Sequence, residues 1–253
     1  MAIDQSEVGK IRIFEDFIGD EWIVTNTDET PHVGLFFRIV GDTIADTDAG
    51  FVSQEADPTL NGVIRFTSPN ATDNDGIGLS TGKMFDVGLM GMLVAECRVQ
   101  FADLETKEFY FGFSGENDDD QTLEGDLIHG GTATITLTAS HICGFLYSSE
   151  TTEAVDWYMV YNGGKSVGQT DASEINAGAT PVAAEYNVLR VEVDNNGTAR
   201  WYVDGVLKQT VSGAVSTTAN LACLAILECK GSGAAETCDV DYILIEANRD
   251  WTV

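Results

Sequence analysis

Hydrophobic positions recur at every second residue along most of the chain. Leu93, Ala95, Cys97, Val99 and Phe101 alternate with Val94, Glu96, Arg98 and Gln100. Phe109, Phe111 and Phe113 alternate with Glu108, Tyr110 and Gly112, and Ile135 and Leu137 with Thr134, Thr136 and Thr138. Val33, Leu35, Phe37 and Ile39 predict a further strand near the front. Successive side chains of a strand point to opposite faces, so this period marks strands with one buried face. The runs are rich in β-branched and aromatic residues and end in Gly, Asn or Asp, which suit turns. No helical stripe longer than two turns competes with them. The pattern predicts an all-β chain.

The last third of the chain carries the clearest topology. Leu189, Val191 and Val193 form one strand face, residues 194–197 a turn, and Ala199, Trp201 and Val203 the next strand. Asp204-Gly205 then predicts a tight hairpin, because glycine accepts the positive φ such turns require. The chain continues as a strand over residues 206–211. Two more strands are expected at residues 221–228 and 240–246, and residues 171–184, small and polar, read as a long loop. No repeat or linker divides the sequence. The expectation is an N-terminal arm, residues 1–10, followed by a single domain over residues 11–253. Many strands with long connections bury their inner faces best as two packed antiparallel sheets, with a closed barrel as the alternative.

A family resemblance enters here. The stretches Tyr186-Asn187-Val188-Leu189-Arg190-Val191-Glu192-Val193 and Gly197-Thr198-Ala199-Arg200-Trp201-Tyr202-Val203-Asp204-Gly205 resemble the paired strands of concanavalin-like or laminin-G-like jelly rolls. Val240-Asp241-Tyr242-Ile243-Leu244-Ile245 looks like their closing strand, which pairs near the first. The opening Ile13-Phe14-Glu15-Asp16-Phe17-Ile18-Gly19-Asp20 is similar to the start of laminin-G-like virion proteins of tailed bacteriophages, and Phe111-Gly112-Phe113-Ser114 and Cys143-Gly144-Phe145-Leu146 fit the same picture. The resemblance implies a two-sheet antiparallel jelly-roll sandwich and a non-enzymatic structural protein of a phage particle, most like a capsid decoration (cement) protein. Its implied partner is the major capsid protein, which it bridges as a homo-oligomer, with a trimer favoured. Exposed sheet edges or the N-terminal arm are the expected places for strand addition to a neighbour.

Charge narrows the picture. The 253 residues hold 41 Asp plus Glu against 13 Lys plus Arg, a formal charge of −28. Binding nucleic acid or an anionic membrane needs clustered Lys and Arg to displace counterions, and the scattered basic residues supply no such stripe. A protein of this charge is repelled by packaged DNA, which suits the outer surface of a virion assembled in a bacterial cytoplasm. No stretch approaches the ~18 apolar residues that would cross a membrane as a helix.

Candidate chemistry is sparse. A retaining glucanase of this shape needs Glu-x-Asp-x-x-Glu on one strand face, since its two carboxyl groups must stand ~5.5 Å apart. Glu124-Gly125-Asp126 is followed by His129 where the acid should be, and Glu192-Val193-Asp194 runs into a turn. His32, His129 and His141 show no metal-ligand spacing. Residues 116–126 hold six acids in eleven positions, and Asp73-Asn74-Asp75-Gly76 is a fragment of a calcium loop; weak calcium binding is the most they suggest. Among Trp22, Trp157, Trp201 and Trp251, Trp201 shares its phase with core residues, and Trp157, beside Tyr158 and Tyr161, is the better of them for an exposed platform that stacks a host glycan, with core packing still the favoured reading. Of the five cysteines, Cys97 falls on an apolar phase, and Cys229 and Cys238 bracket a loop across which a disulfide is conceivable. No catalytic residue, cofactor or metal site is therefore assigned from the sequence.

Overall fold

The computed structural model describes residues 9–18, 23–25, 32–33, 36–41, 51–54, 62–69, 74–152, 156–231 and 235–250. In chain order the strands are β1 (Lys10–Glu15), β2 (Ile23–Thr25), β3 (His32–Val33), β4 (Phe37–Val40), β5 (Phe51–Gln54), β6 (Ile64–Thr67), β7 (Gly76–Ser80), β8 (Phe85–Asp86), β9 (Leu93–Gln100) and β10 (Lys107–Ser114). There follow β11 (Ile128–Gly130), β12 (Ile135–Leu137), β13 (Ile142–Ser148), β14 (Tyr158–Asn162), β15 (Asn187–Val193), β16 (Ala199–Val203), β17 (Val206–Val211), β18 (Asn220–Cys229) and β19 (Thr237–Asn248). Helix among the described residues is confined to one turn, Leu123–Leu127, and a shorter one, Ala172–Glu174.

Two large antiparallel sheets result. Sheet 1 runs β17-β16-β15-β9-β19-β6-β5-β2, with β1 also paired to β19. Sheet 2 runs β14-β13-β10-β18-β7-β4-β3, with β8 on β18, and β11 and β12 form a separate hairpin. The predicted phases fall where they should: Leu93, Ala95, Cys97 and Val99 of β9 and Phe109, Phe111 and Phe113 of β10 meet in the core between the sheets. The Asp204-Gly205 turn has φ of 51° and 75°, and it aligns Val203 with Val206. The closing strand β19 pairs with the first, Lys10 opposite Asn248. Lys10, the last residue of the expected arm, thus begins β1, and residues 1–8 lie outside the described residues.

Trp201 ties the layers together. From the inner face of β16 its indole N–H donates to the Gly144 carbonyl in β13, at 2.7 Å. Gly144 lies opposite Gly112 on β10. A Cβ on Gly144 would come within 2.3 Å of the Phe111 carbonyl oxygen, so only glycine fits there.

The structure corrects two expectations. The run from Val33 to Ile39 is not one strand: the chain reverses, and Val33 pairs with Phe37. The strand expected at Ile135 and Leu137 forms, as β12 of the small β11–β12 hairpin. Strands β18 and β19, expected around one loop, belong to different sheets, so Cys229 and Cys238 do not face each other across a hairpin. All five cysteines are buried and in the thiol form. Trp157 is 1% exposed and packed among Phe101, Phe109, Phe145 and Tyr147, the core placement favoured for it over a sugar platform. Trp22, Trp251 and Asp73 lie outside the described residues, and His32 falls in β3.

Candidate functional site

The outer face of sheet 2 is one of the two broad faces where a binding groove would have to lie. Here the chain covers it. Leu123, Leu127, Ile128, Ile135 and Ile175 pack onto Tyr110, Ile142, Leu146, Leu224 and Ile226 as a second apolar core. Strand β18 is therefore apolar on both faces from Leu221 to Leu227. The cover is pinned on its other side by the acidic loop. Arg38 donates to the Asp119 carboxylate and, at 2.6 Å, to the Asn117 carbonyl, while the Gly41 N–H donates to the Asp119 carbonyl at 3.0 Å. Part of the 116–126 run is thus spent holding the cover down, as Asp126 also accepts from the Thr122 N–H at 2.9 Å.

At one end of the cover lies a buried ion cluster. Glu108 of β10 and Glu228 of β18 are register partners, both fully buried. The Lys230 ammonium sits 3.0 Å from Glu228 Oε1, 3.4 Å from Glu108 Oε2, 2.7 Å from Glu124 Oε2 and 3.8 Å from Glu150 Oε2. It also donates to Asn74 Oδ1 at 2.7 Å. The two buried carboxylates do a second job. Glu108 Oε1 accepts from the Gly130 N–H at 2.6 Å, and Glu228 Oε2 from the N–H groups of Leu123 and Glu124 at 2.5 and 3.3 Å. Each thereby fastens a segment of the cover, β11 or the helical turn, whose backbone donors would otherwise be unmet.

Burial governs the protonation of this cluster. It pushes Glu108 and Glu228 up to about 7 against the pull of Lys230. The hydrogen bond from Lys230 holds Glu124 below the usual carboxylate value. For Lys230 burial acts downward, but Glu108, Glu228 and Glu124 together keep it above the ordinary lysine value. Side-chain atoms of Glu124, His129 and Glu150 come within 4.8 Å of one another, a spacing that would suit a cation. The Lys230 ammonium already contacts two of the three, so the cluster's cation is the lysine itself.

Two residues of the failed glucanase motif, Glu124 and His129, are thus brought together, but beside a lysine and not across a sugar groove. Glu192 and Asp194 lie elsewhere, on the sheet 1 side. The sequence reading missed Glu108, Glu228 and Lys230. The signal was present in the strand apolar on both faces that ends in a carboxylate, since such a strand needs a cover and the carboxylate a partner. His141 contributes no partner to this cluster; it packs against Gly115 and Gly163.

The outer face of sheet 1 has a different character. Five of the seven arginines stand on it, each beside a carboxylate: Arg12–Glu246 at 3.3 Å, Arg65–Asp239 at 2.7 Å, Arg98–Asp241 at 2.5 Å, Arg190 with Glu192 at 2.8 Å and Glu96 at 3.1 Å, and Arg200–Asp194 at 2.8 Å. Tyr242 and Tyr202 donate to Glu96 and Glu192 at 2.8 and 3.3 Å, and Arg98 stacks on Tyr186 with 3.9 Å to the ring centroid. A register shift between Val240 and Tyr242 turns both Asp239 and Tyr242 outward while Val240 and Ile243 stay in the core. The face is nearly charge-balanced in a chain of −28. A third feature is a polar cavity of about 190 Å³ at the loop end, lined by Gly163, Gly164, Lys165, Asn196, Val215, Ser216 and Thr217.

The layered strand order can now be set against known proteins. No protein-family model matches the chain, and no curated protein matches it. Among solved structures, the endo-1,3-β-glucanase of Streptomyces sioyaensis superposes with a TM-score of 0.51 at 13% identity, over 98% of this chain and 99% of its own. The fold is a concanavalin-like jelly-roll sandwich. A protein of unknown function from Shewanella oneidensis MR-1 superposes with a TM-score of 0.53 at 11% identity, over 100% of this chain and 92% of its own. The carbohydrate recognition domain of Emp46p matches with a TM-score of 0.49 at 10% identity, over 83% of this chain and 87% of its own. At such identities a shared sandwich carries no activity with it.

Proposed function

We propose that this jelly roll is a non-catalytic binding protein, a decoration protein on the outer surface of a phage capsid. Its partner in this reading is the major capsid protein, met through the outer face of sheet 1. The observation that carries the reading is the contrast between the two outer faces. On sheet 2 the outer face is filled by the chain's own second core, and its buried carboxylates are committed to Lys230 and to the cover. On sheet 1 an arginine- and tyrosine-rich face, its charges already matched, lets another protein approach without the repulsion that the rest of a −28 chain imposes. Arg and Tyr are the residue types that anchor interfaces. Many modest contacts across neighbouring capsomers would then add up to a mechanical reinforcement.

The test is co-sedimentation with undecorated capsids, run beside a glycan array. Capsid binding that Arg98→Glu and Tyr242→Ala weaken at least about tenfold, roughly 1.4 kcal/mol, supports the reading. Glycan binding without capsid binding favours the second reading, a lectin-like tail or fibre protein, for which the polar cavity between Gly163 and Thr217 is the supporting feature. Turnover of a β-glucan would overturn both.

A further inference from the structure

The strand β17 ends sheet 1, and its outer edge meets no other strand among the described residues. The corresponding end of sheet 2 is closed: β14 is lined by residues 175–179, through Met159 N–H to Ile175 O at 2.8 Å, Ala177 N–H to Trp157 O at 2.8 Å, and Trp157 N–H to Ala179 O at 3.1 Å. Among the described residues nothing comparable protects β17. It is six residues long, contains no acid or proline, and exposes Val206 (57%) and Leu207 (50%). Natural edge strands usually carry a device against pairing with another chain, and Lys208, within the local irregularity opposite Trp201 and Tyr202, is the sole charge here.

Charge singles out the same edge. In a chain with 41 acids, residues 205–227 contain none, and neither do residues 157–170. The two acid-free runs meet beside β17, where the Ser166 N–H donates to the Gly213 carbonyl at 2.9 Å and the Ser166 hydroxyl to Ser212 O at 2.8 Å. Val167, in the second run, is 88% exposed. The acid that precedes β17 in the chain, Asp204 at the turn into it, is turned back onto the Val188 N–H at 2.8 Å and the Asn187 amide at 3.0 Å.

We propose that β17 is the self-association edge of this protein: two copies pair β17 to β17 in antiparallel register about a two-fold axis, joining their first sheets into one. The occupant is a second copy for two reasons. An antiparallel pair of identical strands is self-complementary and closes on itself. Two chains of −28 each can meet without opposing carboxylates only where carboxylates are missing, and this edge is such a place. The contact is separate from the capsid reading and holds or fails on the purified protein alone.

Sedimentation velocity on the full chain tests it. The expected species is a dimer of twice 27.2 kDa. Its association should tighten as salt rises from about 20 mM to about 300 mM, because screening removes repulsion between the acidic bodies. Leu207→Glu should weaken the dimer at least about tenfold, and Val182→Glu, at an equally exposed site off this edge, should not. Hydrogen exchange on the unmodified protein gives a variant-free check: β17 amides should gain protection as concentration rises. A monomer at all concentrations and salts, a trimer, a dimer indifferent to Leu207→Glu in a folded variant, or unchanged β17 exchange would each overturn the proposal.

Discussion

Glu108 and Glu228 stand directly opposite each other on β10 and β18, two buried carboxylates on one face, with the Lys230 ammonium 3.4 and 3.0 Å away. Like charges in that relation are destabilising on an exposed sheet and far more so when buried. The arrangement persists because each carboxylate also holds down the cover, one through Gly130 and the other through Leu123. The cluster is the fastening that closes the outer face of sheet 2.

Its first consequence is a pH dependence. Glu108 and Glu228 ionise at about 7 in the folded chain, against 4.5 as the ordinary value. Between those values the folded state binds more protons than the unfolded state, so the pair's contribution to stability falls as pH rises from about 4.5 to about 7 and levels off above. The size is on the order of a few kcal/mol for the pair. The double variant Glu108→Gln/Glu228→Gln keeps the acceptors for Gly130 and Leu123 while removing the titration. Urea unfolding from pH 5 to about 8 should show a flatter profile for the variant than for the parent; identical slopes would refute the assignment.

Lys230 carries the opposite expectation. Replacing it with Met leaves four carboxylates without their shared cation, and breaking a buried pair in this way costs about 3–5 kcal/mol. The loss should be larger at pH 8 than at pH 5, since at the lower pH Glu108 and Glu228 are protonated and ask less of the lysine. Denaturant midpoints of Lys230→Met at the two pH values measure this directly. Equal losses at both would mean that the lysine acts by packing alone.

The cysteines give a test by simple titration. Cys97, Cys143, Cys223, Cys229 and Cys238 are all thiols and at most 1% exposed, and burial pushes the thiols of Cys97, Cys143, Cys223 and Cys238 up. A thiol reagent should label none of them quickly in the native protein and all five after unfolding without reductant. Three labelled thiols would instead reveal a disulfide.

Much of this fold could be read from local alternation. The inward phases of β9, β10, β15 and β16 follow from side chains pointing to alternate faces, and the Asp204-Gly205 turn from a backbone that needs positive φ. Alternation failed where it carries no information about direction. Val33 and Phe37 keep one phase because paired residues of a hairpin share a face, so a reversal reads like a continuing strand. Trp157, beside Tyr158 and Tyr161, admits both a core and an exposed reading for the same reason: nothing local tells which of two faces meets the other sheet.

What the amino-acid order determined by itself was therefore the class of structure, the inward phases of β9, β10, β15 and β16, the Asp204-Gly205 turn and a charge unsuited to polyanions. What tertiary structure alone decided was which strands become neighbours. The opposition of Glu108 to Glu228, the arrival of Lys230 between them, the closing of one outer face and the matched charges of the other all join segments far apart in the chain. Such contacts depend on register between distant strands, and no short-range period encodes that register.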